Sequence, residues 1–168
     1  MVGALRALGC DQEIAGVDVW SEGFGLFESI ATEWCGPVRF YREDAVDWLR
    51  RQRVLYDVIV EDLSVSENGD VVKPDASISL LPDLMQKKIT GEGIIISNLL
   101  PTPGFSWPRL ISMVRTGPGI LVEFESYHNR VLIQGSSVGE VRWAGRFLRR
   151  NMRVLGSALA GEIRLRTL

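Results

Sequence analysis

Short apolar runs that end in an acid recur along this chain, and each is followed by residues at helical spacing. Ile14-Ala-Gly-Val-Asp18 opens the series, and Tyr56-Asp-Val-Ile-Val60 with Glu61-Asp62 behind it is the strongest member. Runs this short are strands rather than helices, and their continuous apolar character predicts cover on both faces. Between them Phe24, Phe27, Ile30, Ala31 and Trp34 keep a helical spacing until Gly36-Pro37 interrupts it. Val38 to Tyr41 reads as a short strand. Asp44 is placed to cap a helix carrying Ala45, Trp48 and Leu49. A polar stretch with Asn68-Gly69 as its turn signal precedes a helix expected over 77–88 and a buried strand at Ile94 to Asn98. Trp107 to Val114 completes the series as a helix with Pro108 in its first turn. This alternation predicts an α/β fold, a mostly parallel sheet with helices on both faces.

The beat then changes. Gly119 to Ser126 and Arg130 to Gly135 are strands joined only by Tyr127-His128-Asn129, a connection that permits an antiparallel hairpin and forbids a parallel crossover. A last helix is expected over 138–155. In sheets of this kind ligands sit beyond the carboxyl ends of the strands. Asp18, Asp44 and Asp62 fall at such ends, with Glu61 beside the last. Any one of them is as well explained as a cap or loop acid; their shared place at the ligand edge raises the functional reading.

At 168 residues the chain has the size of one domain, and no apolar run reaches the ~18 residues that span a bilayer. Cys10 and Cys35 give neither a disulfide framework nor zinc spacing, which suits a cytoplasmic protein, and no metal site is expected. His128, the single histidine, has no nucleophile pattern near it and reads as a surface turn residue. Gly135-Ser-Ser-Val-Gly139 lacks the strand and spacing of a dinucleotide loop and reads as a turn and helix start. The formal net charge of −2 argues against a dedicated nucleic-acid binder. That sum hides a split, because residues 138–168 carry seven basic and only two acidic side chains. Arg142, Arg146, Arg149 and Arg153 make one stripe of the last helix, Trp143, Phe147 and Val154 another. Val141, Ala144, Leu148, Met152 and Leu155 make its core face. Two readings are open: a tail docked on its own acidic body, which charge blocks usually mean, or a tail that meets an outside anion.

Three segments resemble the class I S-adenosylmethionine-dependent methyltransferase fold, and within it the spermidine synthase-like branch. They are Gly16-Val-Asp18, Glu43-Asp44-Ala45 followed by Trp48-Leu49, and Tyr56-Asp-Val-Ile-Val-Glu-Asp62. Thr90-Gly91-Glu92-Gly93-Ile94 is similar to the turn before the family's fifth strand, and the closing hairpin to its reversed last strand. The likeness covers residues 4–136. It implies a Rossmann-like methyltransferase-type domain over 1–136, with residues 137–168 a basic amphipathic helix and tail packed on the same domain. Asp18 would then hydrogen-bond the ribose hydroxyls of the cofactor, and Asp44 would face the adenine amino group with Ala45 leaving room for the ring. Asp62 would stand beside the reacting centre as the catalytic acid.

The cofactor implied is S-adenosylmethionine or its decarboxylated form, and the activity methyl or aminopropyl transfer to a small-molecule or protein acceptor. Residues 63–75 lack the tyrosine and the Pro-Gly character of a polyamine gate, which favours methyl transfer. The family's first strand and Gly-rich turn have no counterpart ahead of Val2, so the resemblance implies an N-terminally truncated form with open strand edges. A changed strand order, a homodimer covering an edge, or a start placed too late would each account for that. The competing function is a degenerate binding or dimerisation module that has kept the sheet and lost the cofactor loop. Neither nucleic acid nor membrane is an expected partner.

Overall fold

In a computed structural model, residues 2–7, 9–36, 38–67 and 69–168 are described, without side chains at 3, 4, 7 and 31–35. Pro37 and Asn68, each half of an expected turn signal, lie outside the described residues, as do the side chains of Ala31, Trp34 and Cys35. The chain forms two units, Met1–Arg51 and Gln52–Leu168.

The first unit contains helix α1 (Val2–Ala7), strand β1 (Ile14–Asp18), helix α2 (Glu22–Cys35), strand β2 (Val38–Arg42) and helix α3 (Ala45–Arg51). β1 and β2 pair in parallel, from Ile14 opposite Val38 to Asp18 opposite Arg42. Successive strand residues point to opposite faces, so Phe40 and Tyr41 look in opposite directions. Phe24 of α2 stacks on Phe40 with ring centroids 4.4 Å apart, and buried Trp48 of α3 meets Tyr41 at 5.2 Å. The two helices therefore cover opposite faces of this small parallel sheet.

The second unit begins with strand β3 (Tyr56–Glu61) and a hairpin of β4 (Val65–Glu67) and β5 (Asp70–Val72). Helices α4 (Asp75–Ser79) and α5 (Leu81–Lys88) follow, then β6 (Ile89–Leu99), α6 (Trp107–Val114), β7 (Gly119–Phe124) and β8 (Arg130–Gln134). Helix α7 (Val141–Val154), a 3-10 turn (Ala158–Gly161) and β9 (Ile163–Thr167) close the chain. The single helix expected over 77–88 is thus two. Pro82 sits in the first turn of α5, where its missing N–H costs nothing, whereas in a continuous helix it would break the ladder.

The main sheet has the order β3-β6-β8-β7-β9. Only β3 and β6 run parallel; the other three pairings are antiparallel. The α/β class and the helices on both faces are as expected, but a mostly parallel sheet is not what forms. The β7–β8 connection is too short to reverse, so β8 enters between β6 and β7 against both. β9 then pairs antiparallel with β7 outside them. β9 was read as part of a tail, although Ile163-Arg-Leu-Arg-Thr167 alternates with strand period.

One sheet face packs Leu99, Leu121 and Leu132 against Ile78, Leu110, Ile111 and Val114 of α4 and α6. The other packs Ile120, Val122 and Ile163 against Val141, Ala144, Leu148 and Met152 of α7. Among the described residues no helix is long and apolar enough to cross a membrane.

Between Tyr56 and Val58 the register with β6 jumps from Ile89 to Ile94, so residues 90–93 bulge from the strand. Ser137 Oγ lies 2.7 Å from the Glu92 carbonyl and carboxylate oxygens, and the Ser136 hydroxyl donates to the Gly91 carbonyl. The Gly135–Gly139 segment therefore clasps this bulge. Gly135 has φ +149°, and a Cβ there would stand 2.4 Å from the Gly93 carbonyl oxygen. Gly135→Ala should accordingly lose about 1–3 kcal/mol of stability, read as a lower urea midpoint at unchanged slope. An unaltered midpoint would show that the two segments are not in contact.

Candidate functional site

Strand direction decides where the acids emerge. β1 and β2 are parallel, so Asp18, the last residue of β1, and Asp44, two residues past β2, leave the sheet at the same edge. The Glu43 N–H donates to the Asp18 carbonyl at 3.0 Å and fastens the two strand ends together. Asp18 Oδ1 accepts from the Trp20 N–H at 2.9 Å. Asp44 Oδ1 accepts from the Val46 and Asp47 N–H groups at 2.9 and 3.0 Å, which makes it the expected cap of α3. Both acids are exposed, and Ala45 is half-buried at the start of the helix. Each carboxylate commits Oδ1 to local backbone. Its Oδ2 carries no hydrogen bond among the described residues.

In the second unit Asp62 follows β3, at the carboxyl end of the parallel β3–β6 pair. Asn98, one residue from the end of β6, donates its amide to Asp62 Oδ1 at 2.7 Å. Asn129, in the β7–β8 turn, donates in its own right to Asn98 Oδ1 at 2.8 Å. That relay fixes the direction of the Asn98 amide and presents its N–H to the carboxylate. Asp62 is exposed and is held from one side only. His128, next to Asn129, is exposed in the turn.

Beneath Asp62 lies a buried charge pair. Glu61 and Lys73 are 4% and 3% exposed. The Lys73 ammonium donates to Glu61 Oε1 and Oε2 at 2.7 and 2.8 Å and to the Leu63 carbonyl at 2.9 Å, which accounts for all three of its protons. Glu61 Oε1 also accepts from the Ser77 hydroxyl and the Leu63 N–H, each at 2.9 Å. Leu63 is held through both its N–H and its carbonyl. Asp62 therefore stands between two anchored residues.

A groove of about 300 Å³ opens at this end of the second unit, lined by Pro101, Thr102, Pro103, Phe105 and Trp107, with Asp70 from the hairpin. The loop that leaves the carboxyl end of β6 supplies most of it.

Asp18 and Asp44 are thus brought to one edge within the first unit, and Asp62 to the corresponding strand ends of the second. Sequence reasoning missed Asn98, Asn129 and the Glu61–Lys73 pair. Asn98 had a signal, since it ends an apolar run at a strand's carboxyl end as Asp62 does. Lys73 had none, lying twelve residues from its partner across a hairpin.

No protein-family model matches the sequence, and no curated protein matches it. Solved structures do. Human Methyltransferase-like protein 13, determined in complex with SAH, superposes with a TM-score of 0.59 at 17% identity, over 91% of this chain and 90% of that one. A probable spermidine synthase from Corynebacterium glutamicum superposes with a TM-score of 0.61 at 11% identity, over 98% of this chain and 73% of that one. The chain has the Rossmann-like methyltransferase fold. Within that class it has the spermidine synthase-like form.

Lys73→Ala leaves a carboxylate buried without its counter-ion and should cost about 3–5 kcal/mol in urea unfolding. Replacing both partners, Glu61→Met with Lys73→Met, should recover most of that loss. Equal losses in the single and double variants would show that the two charges do not interact.

Proposed function

We propose that the protein is an S-adenosylmethionine-dependent methyltransferase acting on an amine-bearing small molecule or protein acceptor. The observation that carries this reading is the pair of exposed carboxylates, Asp18 and Asp44, on one edge of parallel strands. It is supported by the likeness in fold to a methyltransferase solved with SAH.

The free oxygens fit the adenosyl half of such a cofactor. Asp18 Oδ2 is an acceptor for two neighbouring ribose hydroxyls, and Asp44 Oδ2 for the adenine amino group, with Ala45 too small to obstruct the ring. When bound, S-adenosylmethionine supplies a methyl group on a sulfonium sulfur. Asp62 holds the acceptor amine by accepting its N–H. As the new carbon–nitrogen bond forms, the carboxylate takes the proton that the amine must shed and passes it to water. Asn98, donating to Oδ1, keeps Oδ2 turned to this task. Asp70 and the apolar walls of the adjoining groove suit a cationic acceptor with an aliphatic body.

Calorimetric titration tests the cofactor half. S-adenosylmethionine should bind, and Asp18→Ala should weaken it about tenfold or more, the loss expected for hydrogen bonds to a charged group. No heat at millimolar ligand would overturn the proposal, and heat with the decarboxylated form alone would point to aminopropyl transfer instead. Asp62→Asn should leave cofactor binding intact and slow methylation of an amine panel by about 10²–10⁴-fold. An unchanged rate would remove Asp62 from the mechanism.

A further inference from the structure

The basic C-terminal region separates into two kinds of arginine. Those of β9 are neutralised on their own sheet: Arg164 pairs with Glu125, and Arg166 approaches Glu123 at 3.7 Å. Those of α7 are not. Arg142, Arg146, Arg150 and Arg153 are exposed, and none has an ion-pair partner among the described residues. The helix itself contains no acid. Arg149 is half-buried and donates to the Ile163 carbonyl at 3.0 Å, so it braces the helix on β9.

The four exposed arginines are spaced by four, four and three residues, about one charge per helical turn. Beside this row Trp143 and Phe147 stand in the solvent, 55% and 51% exposed, with rings stacked at 5.2 Å and 14°. A charge line flanked by flat aromatic surface matches one kind of partner, in which regularly spaced phosphates run alongside unpaired bases. We propose that the outer face of α7 binds single-stranded nucleic acid, with phosphates along the arginine row and a base on the Trp143–Phe147 platform.

Two other occupants fit worse. A helix lying in a membrane surface buries an apolar face, but the apolar face of α7 is already packed on Ile120, Val122 and Ile163. The outward face is centred on arginines. A second copy of the chain would bring the same positive row against itself. The formal net charge of −2 does not cancel the patch, because the acids nearest in the fold, Glu123 and Glu125, are engaged by Arg130, Arg164 and Arg166. This proposal is independent of methyl transfer.

Fluorescence anisotropy of a labelled 12-nucleotide oligo(U) with the full chain tests it. Binding should appear at 50 mM salt and weaken about 20- to 50-fold at 200 mM, as release of counter-ions from four phosphates requires. Arg146→Glu with Arg150→Glu should weaken it more than tenfold, and Trp143→Ala about tenfold, at unchanged thermal midpoint. These residues are exposed, so loss of binding would not reflect loss of fold. No binding at 50 mM salt, equal affinity for a 12-base-pair duplex, insensitivity to Trp143→Ala, or capture only by phosphatidylserine vesicles would each overturn it.

Discussion

The Glu61–Lys73 pair is the constraint on which the second unit depends. Two full charges buried this deeply each lose several kcal/mol of hydration, and attraction alone does not offset that. Here the pair is completed by Ser77 and by both backbone groups of Leu63. The three parts cannot be separated: β3 ends in the carboxylate, the chain after the β4–β5 hairpin supplies the ammonium, and α4 supplies the hydroxyl. The geometry of the strand end, and with it the position of Asp62, follows from satisfying these atoms. A buried ion pair adds little net stability but makes misplacement of its neighbours costly.

The same economy appears at the other two strand ends. Asp18 and Asp44 each use one oxygen to order the backbone that follows and leave the other free. An acid in such a place is at once a structural cap and a ligand acceptor, so the two readings of these residues do not compete. Asp62 differs in that its ordering comes from side chains, Asn98 and Asn129, carried by strand β6 and the β7–β8 turn.

Much of this was legible in the residues. Apolar runs bounded by turn residues located β1, β2, β3 and β6, and the short Tyr127–Asn129 connection fixed the β7–β8 hairpin. What was illegible depended on contacts across the chain. The order β3-β6-β8-β7-β9 is set by which strand edge β8 enters, and no local pattern encodes it. β9 was hidden because its arginines were counted as part of a basic tail, although their alternation with Ile163 and Leu165 is a strand signal. The tail docked on its own acids, one of the two readings of the charge split, describes β9 and does not describe α7. The Lys73 ammonium, read as part of a polar loop, is buried only because a hairpin folds it back beneath Asp62.

The central claim is that strand-end carboxylates on this fold grip an adenosyl ligand. Amide NMR spectra during titration with S-adenosylhomocysteine test it most directly. The account predicts that shifts concentrate at Trp20, Val46 and Asp47, whose N–H groups bond the Asp18 and Asp44 carboxylates, while α7 stays unmoved. Shifts confined to α7, or none at saturating ligand, would contradict it.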